Sequence, residues 1–169
     1  MKEKKNCPDV SGNVLEWLRK THKTISFAES CTAGLAAARL VGHAGASEVL
    51  NVSFVTYSEE AKIAYTDVTA EVLESSDVVS EPVARLMASG VRKRAAADIG
   101  VGITGYAGPG GGTEDAPVGT VVIGIDIEGT VKAFTLHFGQ LGREEIRTCA
   151  VDQMYLLLWK EIQKQEAAL

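Results

Sequence analysis

"TISFAESCTAGLAAARLVG", from Thr24 to Gly42, joins a short apolar run to a longer run rich in alanine and leucine. The first part, "TISFAE", has the length and composition of a short buried strand. The second part, "CTAGLAAARLVG", contains good helix formers and ends on a glycine, which predicts a helix that stops near Gly42. Because a strand followed by a helix is a building unit of α/β proteins, this stretch predicts a sheet covered by helices.

The flanking sequence continues this alternation toward both ends. In chain order it predicts a helix around Val10–Leu18, a strand in "LNVSFVTYS", short helices over Glu59–Ala64 and in "TAEVLESS", a helix opened by Ser80, a strand in "DIGVGIT", an antiparallel hairpin made by "TVVIGIDI" and "TVKAFTLHF", and a last helix from about Arg143. Helices interleaved with strands early and a hairpin late predict a three-layer α/β/α sandwich around a mixed β-sheet.

Length and charge limit the possible classes of protein. A chain of 169 residues with 46% hydrophobic residues is long enough for one core, so residues 1–169 are expected to form a single domain. The net charge of −5 argues against binding to nucleic acid or to an anionic membrane. No apolar run approaches the roughly 20 residues of a membrane span, and the charged start "MKEKKNCPDV" does not look like a signal peptide. A cytoplasmic protein, by default a homodimer, is expected.

The three cysteines do not predict a metal centre or a disulfide framework. Cys7, Cys31 and Cys149 are far apart, form no CxxC pair and have no histidine cluster near them. We interpret them as free thiols. No metal and no cofactor are expected.

Two glycine-rich segments are candidates for ligand binding. Gly100–Gly105 matches GxGxxG, but these glycines lie inside a predicted strand and no helix follows, so a dinucleotide site is not favoured. The loop from Thr104 to Gly119 has glycines at positions 105, 108 and 110 to 112. Its backbone N–H groups can approach an anion closely. The alternative is a flexible crossover, although a long unstructured loop in a small domain is usually functional.

The polar turn Glu29–Thr32 has two interpretations. Ser30 or Thr32 can cap the following helix by accepting a backbone N–H, or Ser30 can be a nucleophile if a base lies near it. The histidines at positions 22, 43 and 137 have no recognisable triad context. Lys62 can serve as the base if burial lowers its pKa from about 10.4, whereas position alone favours a surface lysine.

Four segments together resemble a known family. "AESCTAG", "FVTYSEEAK", "VSEPVA" and "TGYAGPGGGTEDAPVGTV" have the order and approximate spacing of the CinA C-terminal domain family, over roughly residues 24 to 160. The resemblance implies a CinA C-terminal-like fold in its free-standing form. It also implies metal-free hydrolysis of the small molecule nicotinamide mononucleotide to nicotinic acid mononucleotide and ammonia, by a serine and lysine mechanism. A module of the same fold that binds a nucleotide without turnover is the alternative.

The resemblance assigns roles to individual residues. Ser30 matches the nucleophile, Lys62 the base and Tyr57 a supporting tyrosine, with Glu29 expected to face backbone amides or Thr32. The expected substrate-binding residues are Thr32, Thr104, Gly105, Gly108, Gly110, Arg143 and Arg147, the two arginines being phosphate ligands.

Three departures from the family pattern affect the predicted site. The family usually has glycine at Ala33 and an aliphatic residue at Tyr106, so these two side chains are expected to narrow the pocket. The segment "FGQLGREEIR" has an apparent extra residue and lacks an aspartate, which bears on where Arg143 and Arg147 lie.

Overall fold

The structure, a computed structural model that describes residues 8–139 and 141–168, alternates helices and strands as the sequence predicts. In chain order its elements are α1 (Ser11–Thr21), β1 (Ile25–Glu29), α2 (Leu35–Val41), β2 (Phe54–Val55), α3 (Glu59–Tyr65), α4 (Ala70–Ser75), α5 (Glu81–Arg94), β3 (Ile99–Gly105), β4 (Thr120–Ile127), β5 (Thr130–His137) and α6 (Arg143–Glu166). A single 3-10 turn, Ala46–Glu48, follows α2. Cys7 and Gln140 lie outside the described residues.

The five strands form one mixed sheet in the order β2-β1-β3-β4-β5. Strands β2, β1 and β3 are parallel, whereas β4 pairs with β3 and β5 in antiparallel fashion. The predicted hairpin is confirmed, and its turn consists of Glu128 and Gly129, both at positive φ. Positive φ at both central residues suits the right-handed twist of the two strands that the turn joins.

Helices cover both faces of the sheet, which confirms the predicted three-layer architecture. Successive residues of β1 point to opposite faces. Phe27 enters the core shared with α1, α2 and α6, where its ring meets Tyr155 edge-on at 6.3 Å. Ala28 packs on the other side against Val83 and Met87 of α5. Within the described residues, no helix combines the length and apolar character needed to cross a membrane.

The glycines of the GxGxxG segment have a packing role. A Cβ on Gly102 would lie 2.6 Å from the carbonyl oxygen of Ala84 and 2.6 Å from the Cβ of Met87, both on α5. A Cβ on Gly100 would meet the carbonyl oxygen of Ala88 on the same helix. These glycines therefore allow α5 to lie directly on β3.

Two predicted boundaries are wrong. The helix predicted from Cys31 begins only at Leu35, and the strand predicted in "LNVSFVTYS" is reduced to Phe54–Val55. Before β2, side chains replace the backbone ladder, since the hydroxyl of Ser26 donates to the carbonyl of Val52 at 2.7 Å. The amide of Phe27 likewise donates to the hydroxyl of Ser53. These bonds hold the segment beside β1 without strand geometry.

Candidate active site

A cavity of about 480 Å³ opens at the carboxyl ends of the three parallel strands. This edge is where open α/β sheets generally bind ligands, because the loops that follow the strands converge there. The residues that line the cavity are Ser30, Cys31, Tyr57, Ser58, Glu59, Glu60, Lys62, Val78, Val79, Thr104, Gly105, Tyr106, Ala107, Gly108, Gly110 and Arg143. Most of the predicted site residues are thus brought together.

Ser30 and Lys62 meet at the base of this cavity. The Nζ atom of Lys62 lies 3.1 Å from Oγ of Ser30, and it also donates to the carbonyl of Thr56 at 3.0 Å and to that of Tyr57 at 3.5 Å. Helix α3, which carries the lysine, begins immediately after Ser58, whose hydroxyl accepts the amide of Ala61. The lysine is 2% exposed, so it is not the surface lysine that the sequence also allowed.

The environment of Lys62 disfavours its charged form. Burial lowers the pKa of the ammonium group below its ordinary value of 10.5, while Cys31 and Glu59 act in the opposite direction. No carboxylate of the described residues forms an ion pair with Lys62. A buried amine without a counter-ion is suited to accept a proton.

Glu29 anchors the turn that carries Ser30. Its carboxylate is 1% exposed and accepts the amides of Gly34, Ala36 and Ala37 at 2.9 to 3.0 Å. The expectation that Glu29 faces backbone amides is confirmed. Helix α2 receives no side-chain cap from its N-cap residue, so the capping interpretation of Ser30 and Thr32 is wrong. Glu29 supplies the acceptors that the first turn of α2 needs.

The turn between β1 and α2 uses left-handed backbone. Ala33 has a φ of 49° and Gly34 a φ of 93°, which breaks the helical path and explains why α2 starts later than predicted. Ala33 is exposed and does not line the cavity, so of the two expected narrowing side chains only Tyr106 faces it.

Cys31 and Ser30 both line the cavity, but only Cys31 also packs in the hydrophobic core. Cys31 belongs to the main hydrophobic core, and burial raises the pKa of its thiol to about 11. The core fits closely here, because a Cβ on Gly105 would lie 3.0 Å from the sulfur. A neutral thiol is a poor nucleophile, so Ser30 is the better candidate to attack.

Side-chain hydrogen bonds anchor the glycine-rich loop to the segment before α5. The hydroxyl of Thr104 donates to the carbonyl of Val78 at 2.9 Å. Asp77 accepts the hydroxyls of Tyr106 at 3.0 Å and of Thr113 at 2.9 Å. Burial, followed by the carboxylate of Asp77, raises the pKa of Tyr106 to about 12, so its hydroxyl remains a donor. The loop is built as a fixed wall of the cavity.

Arg143, the first residue of α6, closes one side of the cavity. Its guanidinium donates to the carbonyl of Gly108 at 2.6 Å and to the hydroxyl of Tyr57 at 3.0 Å. Its position between the glycine loop and Tyr57 is consistent with the predicted role as an anion ligand, which stays a prediction.

Arg147 and Thr32 do not reach the cavity. Thr32 is fully buried, and its hydroxyl has no hydrogen-bond partner among the described residues. The guanidinium of Arg147 instead binds the carbonyls of Cys31 and Thr32 and the carboxylate of Glu144. The backbone geometry of the Ser30 turn creates this arrangement, and the sequence of α6 alone did not indicate it.

The sequence analysis also missed several residues that border or support the cavity. Ser58, Glu59 and Asp77 border or support the cavity without having been named as site residues. Ser58 could have been found from its place as a helix-capping serine two residues before "EAK". Asp77 follows "ESS" in a polar stretch that carries no motif.

Together these features define an α/β protein with a buried serine–lysine pair in an open cavity at the carboxyl edge of a mixed sheet. The same combination of fold and motifs identifies its family by comparison with known proteins. The chain belongs to the CinA C-terminal domain family, which matches residues 8–162.

Relatives and solved structures agree with this assignment. A protein of Moorella thermoacetica named competence-damage inducible is 45% identical over 149 residues, which are 88% of this chain and 36% of the relative. A crystal structure of a competence/damage inducible protein from Agrobacterium tumefaciens matches with a TM-score of 0.87 at 35% identity, over 90% of this chain and 93% of the other. The crystal structure of the competence damage-inducible protein A of Klebsiella pneumoniae matches with a TM-score of 0.88 at 32% identity, over 94% of this chain and 98% of the other. The chain spans about a third of the length of the curated relatives it matches.

Proposed function

We propose that the protein is an amidohydrolase that converts nicotinamide mononucleotide to nicotinic acid mononucleotide and ammonia, for pyridine nucleotide salvage. The single observation that carries the reaction class is the buried contact of 3.1 Å between Lys62 Nζ and Ser30 Oγ inside the cavity. The substrate comes from the family resemblance of the four sequence segments, and the exposed cation of Arg143 beside the cavity is compatible with its phosphate.

The first step is attack by Ser30 on the carboxamide carbon. A neutral amine has two N–H donors and one lone pair. When the carbonyls of Thr56 and Tyr57 accept the two N–H groups, the lone pair is left for the Ser30 hydroxyl. As the bond between Oγ and the carbon forms, the hydroxyl proton passes to Nζ and the carbonyl π-electrons move to oxygen, giving a tetrahedral oxyanion.

In the later steps Lys62 donates a proton to the leaving amine, takes one from water, and returns that proton to Ser30. The oxyanion collapses, the carbon–nitrogen bond breaks, and the Lys62 ammonium donates a proton to the leaving amine, which departs as ammonia. The resulting ester on Ser30 is attacked by water, whose proton goes to Lys62. Collapse of the second oxyanion breaks the ester, the lysine returns the proton to Ser30 Oγ, and the carboxylic acid is released and loses its proton to water. No metal is needed in this scheme, since one amine serves as base and acid.

Ammonia release from nicotinamide mononucleotide tests the proposal. The purified protein is expected to release ammonia and nicotinic acid mononucleotide in equal amounts. Ser30→Ala should abolish release, whereas Cys31→Ala, the matched neighbour, should retain most of it because Cys31 packs in the core. Nucleotide binding without ammonia release by the native protein would favour the non-catalytic binding module, and a dead Cys31→Ala beside an active Ser30→Ala would exchange the two assignments.

The proposed setting of the enzyme is the cytoplasm, where it would act as a homodimer without a cofactor and without nucleic-acid or membrane partners. A dimer with closed two-fold symmetry is the commonest assembly among soluble homo-oligomers. Sedimentation equilibrium measures this directly, since a mass of one chain, 17.9 kDa, would contradict the dimer.

A further inference from the structure

Arg147 is the only arginine of the described residues that hydrogen-bonds the backbone of the Ser30 turn. Its Nε donates to the carbonyl of Cys31 at 3.0 Å and its Nη2 to the carbonyl of Thr32 at 3.2 Å. The remaining nitrogen, Nη1, donates to both carboxylate oxygens of Glu144 at 2.8 and 3.0 Å. Every nitrogen of the guanidinium is therefore engaged on the protein itself.

These contacts fix the direction of two peptide groups. In a trans peptide the C=O and the following N–H point in opposite directions. Binding of the Thr32 carbonyl by Arg147 thus turns the Ala33 N–H away from the guanidinium and toward the Ser30 carbonyl. On the other side, the Ser30 carbonyl accepts the amide of Ala33 at 3.1 Å, which turns the Cys31 N–H away from that bond.

The Cys31 amide oriented in this way donates to no acceptor on another residue within residues 8–139 and 141–168, and Cys31 lines the cavity. The amides of Ser30, Ala33 and Gly34 donate to Ile103, Ser30 and Glu29, and Thr32 is fully buried away from the cavity. An unused backbone donor directly after a nucleophile is the kind of group that stabilises an oxyanion.

We propose that Arg147 is a positioning residue, which holds the carbonyls of Cys31 and Thr32 and thereby keeps the Cys31 amide available to the oxyanion formed at Ser30. The inference rests on the proposed amide hydrolysis for its chemistry, and it removes Arg147 from the set of phosphate ligands. Arg147 acts through the turn and does not touch the substrate.

The charges around Arg147 support this assignment over phosphate binding. Its side chain is 19% exposed and forms an ion pair with Glu144, which is 77% exposed. A phosphate that approached the guanidinium would meet this carboxylate and would have to displace it. Arg143, by contrast, has no ion pair among the described residues and lies at the cavity.

The structure offers a matched control in Arg39. This arginine lies on α2 and its Nη1 is 2.9 Å from Asp152 of α6, so it also ties α6 to the rest of the fold, but without a contact to the turn. Loss of either arginine removes a polar contact of α6, but only loss of Arg147 frees the two carbonyls.

Steady-state kinetics with nicotinamide mononucleotide and its dephosphorylated riboside separates the possible roles. Arg147→Ala should lower kcat by about 100-fold for both substrates, with KM little changed, while Arg39→Ala keeps kcat near the native value. Arg147→Lys, which can bind one carbonyl, should have a kcat between those of the native protein and Arg147→Ala. The inference is overturned if Arg147→Ala retains kcat, if Arg39→Ala loses as much, or if Arg147→Ala raises KM for the nucleotide alone.

A readout that needs no substrate keeps this test independent of the proposed function. A sulfonyl fluoride reacts with an activated serine and develops negative charge on oxygen in its transition state, so its labelling rate depends on the same Cys31 amide. We expect labelling of Ser30 to slow strongly in Arg147→Ala and to stay near the native rate in Arg39→Ala. If the native protein labels but releases no ammonia, the proposed substrate fails while the labelling rates still decide the role of Arg147, and equal rates in both variants would overturn it.

Discussion

The guanidinium of Arg143 lies 3.0 Å from the hydroxyl of Tyr57, although 86 positions separate the two residues in the chain. The contact joins the first turn of α6 to the segment after β2. With the bond to the Gly108 carbonyl, it places one exposed cation where the glycine loop, Tyr57 and the cavity meet. Because the chain has a net charge of −5, a phosphate must be bound by such local donors.

Replacing Arg143 with alanine should weaken nucleotide binding selectively. A hydrogen bond to a charged group contributes roughly 1.5 to 3 kcal/mol, so the dissociation constant for nicotinamide mononucleotide should rise accordingly, while that for the riboside stays unchanged. Calorimetric titration of both ligands measures the difference. Arg94→Ala removes the same charge at the end of α5, at the opposite edge of the sheet, and should affect neither. Equal losses for both ligands in Arg143→Ala would show that Arg143 supports the cavity wall instead.

The main features of the fold could be predicted because they depend on local patterns. The strand "TISFAE" and the hairpin around Gly129 follow from apolar runs and a turn signal. The length of β2 could not be predicted, because the hydroxyl of Ser26 takes the place of ladder bonds from the neighbouring strand. That substitution depends on the sheet being formed already.

The candidate site was predictable only in part, for a similar reason. The contact between Ser30 and Lys62 was suggested by family motifs, and the structure places the two side chains together. The orientation of Arg147 was not predictable, because its partners are backbone carbonyls of a turn that no motif describes. Side-chain identity is encoded in a motif, whereas the direction of a carbonyl is set by φ and ψ.

Ala33→Gly should stabilise the protein. Ala33 has a φ of 49°, a left-handed conformation that costs a residue with a side chain about 1 to 2 kcal/mol. Glycine removes this cost but adds about 0.5 to 1 kcal/mol of unfolded-state entropy, which leaves a net gain of up to about 1.5 kcal/mol. Urea denaturation measures the change. Ala38→Gly, at an exposed helical position of α2, should lower stability by about 1 kcal/mol. Loss of stability in both variants would contradict the left-handed turn.

Glu29→Gln should destabilise the protein and disturb the site. The carboxylate accepts three amides through two oxygens, whereas a glutamine has one oxygen and must turn an NH₂ group toward at least one N–H. A buried donor left without an acceptor costs about 1 to 3 kcal/mol. Chemical denaturation should show this loss, and Glu48→Gln, at an exposed ion pair with Arg19, should leave the midpoint almost unchanged. An unchanged midpoint in Glu29→Gln would mean that the three amides have other acceptors.

Lys62→Arg should be nearly as inactive in ammonia release as Lys62→Ala, because a guanidinium keeps its charge and cannot take the proton of Ser30. In the native protein, burial disfavours the ammonium form and lowers the pKa of Lys62 below 10.5. The neutral amine therefore accumulates as pH rises through this lowered pKa, and activity should rise with it through a single ionisation that lies below the value of a free lysine. The pH profile of kcat for the native protein and the residual rates of the two variants measure both expectations. Substantial turnover by Lys62→Arg with an unchanged pH profile would leave Lys62 as an electrostatic support, and the base would then have to be sought elsewhere, first at Tyr57, which also lines the cavity.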